Sequence, residues 1–177
     1  MNEQGLFFDC FATPPLPVKE SENKIEFDDH PLEILLGECA TVEDVVAKFN
    51  NYNLGFMKKF QIFIADKTGQ SAIIEGDKIV RKSGWYQAVT SFYHSNPSLG
   101  GYPCKRYETA LNILENSKGI SIEQFKKILD KTHVENIQYI SRIIETLYSN
   151  IYDLRKGLHI PHESGRRFRA KPATHSD

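Results

Sequence analysis

Apolar residues along the chain alternate between short continuous runs and helical spacing, and these two patterns divide it into elements. Leu6-Phe7-Phe8-Asp9-Cys10-Phe11-Ala12 is short and aromatic-rich and predicts a buried strand. Thr13-Pro14-Pro15-Leu16-Pro17 ends it, because proline has no N–H to give to a ladder. Lys19 to His30 is charged and mixed, which predicts a surface loop. Pro31 to Leu36 predicts a short helix, with Pro31 in its first turn and Gly37 at its end. Thr41 can cap a second helix, and Glu43 and Asp44 suit the positive end of its dipole. Val42, Val45, Val46 and Phe49 then form an apolar stripe at helical spacing.

The stretch from Phe60 to Tyr107 predicts a strand meander. Phe60-Gln61-Ile62-Phe63-Ile64-Ala65 and Ser71-Ala72-Ile73-Ile74-Glu75 flank the hairpin signal Asp66-Lys67-Thr68-Gly69. Gly76-Asp77-Lys78 leads to Ile79-Val80, and after Gly84 comes the run Trp85 to Phe92. The Gly/Pro-rich loop from Ser95 to Pro103 ends at Cys104-Lys105-Arg106-Tyr107.

Helical spacing then returns. Tyr107, Ala110, Leu111 and Leu114 predict a helix over Lys105 to Asn116. Ser121-Ile122-Glu123-Gln124 matches a capping box and opens the next helix, whose buried face is Ile122, Phe125, Ile128 and Leu129. Gln138 to Ile144 is ambiguous by period, whereas Thr146 to Leu154 alternates as a strand does. From Leu158 the chain turns polar and basic, and residues 158–177 are expected to be a disordered tail behind a domain of residues 1–157. Strands, then helices, then a strand predict an α+β fold rather than a regular βαβ array.

At 177 residues the chain suits one domain with a sizeable core. A net charge of -1 gives no electrostatic case for nucleic acid or an anionic membrane. No apolar segment approaches the roughly 20 residues that span a bilayer, and Met1-Asn2-Glu3-Gln4 lacks the character of a signal peptide. A cytoplasmic protein is the expectation.

Candidate chemistry is sparse. Cys10, Cys39 and Cys104 are odd in number and far apart, which argues against a disulfide framework or a paired-cysteine metal site. Cys10 and Cys39 sit in apolar runs and are expected to be buried packing residues. Cys104, beside Lys105 and Arg106, could carry a lowered pKa, though packing is the commoner role for such a residue. Cys104 and His94 are the residue types of a thiol–imidazole pair, but no spacing sets their geometry. The histidines lack HxxxH spacing, and no phosphate-binding or nucleophile-elbow motif occurs, so no metal and no cofactor is expected. Arg166, Arg167, Arg169 and Lys171 read as a solvated basic run. Arg106 stands out because a cation at a helix start opposes the dipole. It could orient a carboxylate or thiolate, although most such arginines are ordinary surface residues.

Several segments together resemble the choloylglycine hydrolase family of N-terminal-nucleophile hydrolases, the bile-salt hydrolases, penicillin V acylases and other linear amide C–N hydrolases. They are Met1-Asn2-Glu3-Gln4-Gly5-Leu6, the stretch Phe60 to Glu75, Gln87-Ala88-Val89-Thr90-Ser91, Cys104-Lys105-Arg106-Tyr107 and Thr146-Leu147-Tyr148-Ser149-Asn150, in the family's order over roughly residues 1–157. The resemblance implies a four-layer αββα sandwich of antiparallel sheets with flanking helices. It also implies a mechanism in which an N-terminal cysteine attacks the amide carbonyl with its own α-amino group as base. An asparagine and backbone amides hold the oxyanion, and an arginine tunes the thiolate.

Matched residue by residue, Arg106 falls on the family's active-site arginine. Ser91 falls where the family has an oxyanion asparagine, and its hydroxyl is a shorter and weaker donor. Ala12 falls where bile-salt hydrolases have another active-site asparagine. The family's nucleophile lies upstream of the Met-Asn-Glu-x-Gly-Leu segment, Asn2 is no nucleophile, and Cys10 lies inside a predicted strand. Past Lys156-Gly157 the chain also leaves the family pattern, and a truncation or frameshift would explain both ends. The expectation is a partial hydrolase of acyl amides such as conjugated bile salts or penicillin V, weakly active or inactive alone, with Arg106 and Ser91 as its site residues. The alternative is a non-catalytic binding or assembly module of the same fold. Missing strands would open sheet edges, so homo-oligomerisation is also expected.

Overall fold

The computed structural model describes residues 1–15, 18, 22–26, 31–117, 119–133, 137–139, 142–144, 149–156 and 158–162. The first strand, β1 (Phe7–Ala12), is followed by α1 (Pro31–Glu38) and α2 (Val42–Phe49). Three strands follow in a meander, β2 (Phe60–Ala65), β3 (Ser71–Glu75) and β4 (Lys78–Arg81). Then come α3 (Lys105–Glu115) and α4 (Ile122–Thr132). The short strands β5 (Ile137–Tyr139), β6 (Arg142–Ile144), β7 (Ser149–Asp153) and β8 (Leu158–His162) complete the order. The fold is α+β, with one four-stranded antiparallel sheet in the order β1-β2-β3-β4 and two antiparallel pairs, β5-β6 and β7-β8.

Register gives the sheet two distinct faces. Ile62 pairs with Ile74 and Ile64 with Ala72, so these four side chains share one face. Against it lie Leu35 of α1 and Val42, Val45, Val46 and Phe49 of α2, with Leu6, Leu54 and Met57, all buried in one cluster. Each such side chain taken fully from water contributes about 1.5–3 kcal/mol, so this face is the main apolar core. The stripe on α2 lies where its spacing predicted. Its cap is Thr41, whose hydroxyl accepts the Asp44 N–H at 3.2 Å while Asp44 accepts the Thr41 N–H at 2.9 Å. Ser121 and Gln124 cap α4 in the same reciprocal way.

Several expectations are corrected by longer-range packing. Gly37 does not end α1, which continues to Glu38, since buried Leu35 anchors the helix against glycine's cost of about 1 kcal/mol. Trp85 to Phe92 is not a strand: its polar groups meet the Gln61 and Ser71 side chains and the Val80 carbonyl rather than a neighbouring ladder. Cys10 is exposed, because β1 is an edge strand with only β2 beside it, whereas Cys39 is buried. The ambiguous segment around Gln138–Ile144 forms the β5-β6 pair. The predicted strand near Thr146–Leu154 is β7, with Thr146 to Tyr148 outside the described residues. Residues 158–162, expected to begin a disordered tail, form β8, which pairs with β7 from Ser149↔His162 to Asp153↔Leu158. Residues 163–177 and most of the expected loop Lys19 to His30 lie outside the described residues. Among the described residues no helix is long and apolar enough to cross a membrane.

Candidate functional site

The second face of the sheet sets polar side chains among apolar ones such as Phe63 and Ile73. Gln61 precedes Ile62 and Glu75 follows Ile74, so the antiparallel register puts both on the opposite face, side by side. Neither side chain is exposed to solvent. A buried carboxylate or amide is tolerated only when it finds hydrogen bonds, and here they come from the segment that replaces the expected fifth strand. Glu75 accepts the backbone N–H of His94 and, at 3.0 Å, that of Ser95. Gln61 Nε2 donates to the Thr90 carbonyl, and Gln61 Oε1 is buried without a partner. Ser71 donates to Gln87 Oε1 at 2.7 Å, and Gln87 Nε2 donates to the Val80 carbonyl at 2.9 Å. Tyr93 fixes the same segment to the chain after β1: its hydroxyl accepts from Thr13 at 2.7 Å and donates to the Pro14 carbonyl at 2.8 Å.

This pinned segment carries Ser91, which is half-buried. Arg106 is exposed in the first turn of α3 and makes no side-chain hydrogen bond or ion pair with another described residue. The two residues do not touch each other directly in any described contact, but their neighbours do. Thr90 Oγ1 donates to Cys104 Sγ at 3.5 Å, within the range for a sulfur acceptor. Gly101 lies so close that a Cβ there would sit 2.7 Å from the Ser91 carbonyl oxygen, and its φ of 81° lies in the left-handed region. The glycine loop therefore seats the start of α3 against Thr90-Ser91.

Cys104 is the N-cap of α3 and half-buried. Burial opposes ionisation of its thiol. The Thr90 hydroxyl, the Tyr107 and Arg106 backbone amides and the Arg106 charge outweigh it and hold the thiol below the ordinary cysteine value. Cys39 differs: burial raises its thiol. His94 stacks 4.2 Å from Phe92 and meets Tyr107 edge-on at 5.2 Å. Its Nε2 accepts the Thr90 N–H at 3.4 Å. Burial pushes its pKa down against the pull of the Glu75 carboxylate, so the imidazole is held neutral.

Thr90, Gln61 and Glu75 were missed as site residues by sequence reasoning, although a signal existed: a glutamine and a glutamate inside otherwise apolar strand runs. Among the described residues no group of three or more His, Cys, Asp or Glu could hold a metal ion. A groove of about 420 Å³ at the C-terminal end of α2, lined by Asn23, Lys24, Ile25, Lys48, Asn50, Asn51 and Tyr52, contains none of these residues. No protein-family model matches this chain, and no curated protein matches it.

Proposed function

We propose that this chain carries the oxyanion and arginine side of a cysteine N-terminal-nucleophile hydrolase site for linear acyl amides, of the choloylglycine class, within the four-layer sandwich that class adopts. The observation that supports this reading is the Thr90–Cys104 hydrogen bond. It joins, across 14 positions of the chain, the segment bearing Ser91 to the helix turn bearing Arg106. In this reading Ser91 contributes a hydroxyl to the oxyanion and Arg106 contributes positive charge beside the thiolate. The reading assigns the nucleophile to none of Cys10, Cys39 and Cys104. A non-catalytic acyl-amide binding module is the second reading, favoured by the weaker donor at Ser91.

Binding and turnover tests separate these readings. The purified chain is titrated with penicillin V, a conjugated bile salt and an acyl-homoserine lactone by ligand-observed NMR, with Arg106→Ala and Ser91→Ala alongside. Both readings expect binding to at least one acyl amide that weakens in both variants, and the module reading expects no hydrolysis. Absence of binding to all three would sink both. Turnover abolished by Cys104→Ala would make Cys104 the nucleophile and overturn its exclusion.

A further inference from the structure

We propose that the groove between the Asn23–Ile25 segment and the turn that follows α2 binds a small neutral saccharide. The inference lies outside the acyl-amide reading and does not rest on it. Backbone bonds hold both walls. The Ile25 N–H donates to the Asn51 carbonyl at 3.0 Å and the Asn53 N–H to the Ile25 carbonyl at 2.8 Å, which bridges Ile25 to Tyr52 in parallel register. On the helix side, the Asn51 N–H donates to the Lys48 carbonyl at 3.0 Å and Asn51 Nδ2 to the Ala47 carbonyl at 3.1 Å. The groove is thus built without a ligand, and its volume of about 420 Å³ falls in the range of small-molecule sites.

The lining selects the ligand. Ile25 and the Tyr52 ring are its apolar groups, too few to hold a wholly apolar molecule. Its amides, those of Asn50 and Asn51 among them, can each donate and accept. The exposed Asn50 side chain and Asn51 Oδ1 make no hydrogen bond with another described residue. Charge does not favour an ion. Lys48 is paired with Glu38, and the partial negative charge at the C-terminal end of α2 opposes the attraction of Lys24 for an anion. Ile25 is 57% exposed, the most exposed large apolar side chain among the described residues, although its backbone is bonded through both N–H and carbonyl. It is a fixed apolar surface beside polar groups. A pyranose ring is complementary to both, with hydroxyls for the amides and a C–H face to cover Ile25.

The test is titration of the whole isotope-labelled chain with glucose, cellobiose and glucose 6-phosphate, read by NMR. Saturable shifts are expected with both neutral sugars at the Asn50 and Asn51 side-chain amides and the Ile25 methyl groups, and none at Ser91 or Arg106. Ile25→Ser and Asn50→Ala change exposed side chains, so the rest of the spectrum is expected to stay in place. Each is expected to weaken sugar binding about fivefold, the loss of one modest contact. Absence of saturable shifts with either neutral sugar overturns the proposal. So does binding that both variants leave unchanged. Glucose 6-phosphate is expected to bind about as tightly as glucose, and a preference for the phosphate of about tenfold or more would make the groove an anion site and overturn the assignment.

Discussion

Asp66 Oδ2 accepts the backbone N–H of Val42 at 2.9 Å, which ties the β2-β3 turn to the first residue of α2. Asp66 is buried, which favours its neutral form. The Thr68 hydroxyl and the backbone amides of Val42, Thr68 and Gln70 outweigh this and hold its pKa below the usual aspartate value. A depressed carboxyl pKa stabilises the fold above the unfolded value near pH 4, and that contribution is lost as pH falls through the folded value. Asp66→Asn is expected to cost about 1–3 kcal/mol at pH 7. In urea unfolding at pH 7, 5 and 3, the gap between parent and variant should shrink toward the acid end. An unchanged gap at pH 3 would contradict this account.

Glu75 is the clamp for the site segment, because its two oxygens accept two successive backbone amides, those of His94 and Ser95. Glu75→Gln keeps one acceptor and aims a donor at the other amide. A buried donor left unpaired costs about 1–3 kcal/mol. Amide hydrogen exchange should show faster exchange at His94 and Ser95 in the variant, while the amides of Ile62 and Ile74 on the core face change little. Uniform loss of protection across both faces would show that the clamp holds the whole sheet instead.

Two glycines with positive φ separate strain from crowding. At Gly69, φ is 87° and an added Cβ meets nothing within 4 Å, so Gly69→Ala should cost only the backbone strain of about 1–2 kcal/mol. At Gly101 the same strain is joined by an approach of 2.7 Å to the Ser91 carbonyl oxygen. Gly101→Ala should therefore be the more damaging of the two in thermal unfolding. Equal losses would mean that the loop relaxes away from Ser91.

Gln61 carries an internal compensation. Gln61→Met removes the bond from Nε2 to the Thr90 carbonyl, worth about 0.5–1.5 kcal/mol, and also removes an unpartnered buried oxygen, which costs about 1–3 kcal/mol. The two effects oppose, so the change in global stability by chemical denaturation should lie between a fall of about 0.5 kcal/mol and a rise of about 2.5 kcal/mol. A loss of several kcal/mol would show that the Thr90 anchor outweighs the orphan oxygen.

Much of the core was legible because its causes are local. The α2 stripe from Val42 to Phe49, its Thr41 cap and the Ser121–Gln124 box depend on residues within a turn or two of each other. The β2-β3 hairpin was legible for the same reason: a turn of Asp66 to Gly69 sits between two apolar runs that bury each other. The run from Trp85 to Phe92 misled, since its aromatic composition suits a strand while its hydrogen bonds to the sheet go to the Gln61 and Ser71 side chains and the Val80 carbonyl. At Leu158–His162 the polar composition hid a strand that needed β7 as a partner.

By itself, then, the sequence determined which segments are helices or strands wherever capping groups and periodic apolar residues act over a few positions. The family resemblance also pointed to Ser91, on the segment between β4 and α3, and to Arg106, in the first turn of α3. Only the tertiary structure decided that Cys10 is exposed, that Gln61 and Glu75 face the site segment, and that Thr90 reaches Cys104. Those outcomes rest on sheet order and on contacts between residues far apart in the chain. Such contacts form only after the entropy of closing the intervening loops has been overcome, so no local pattern records them.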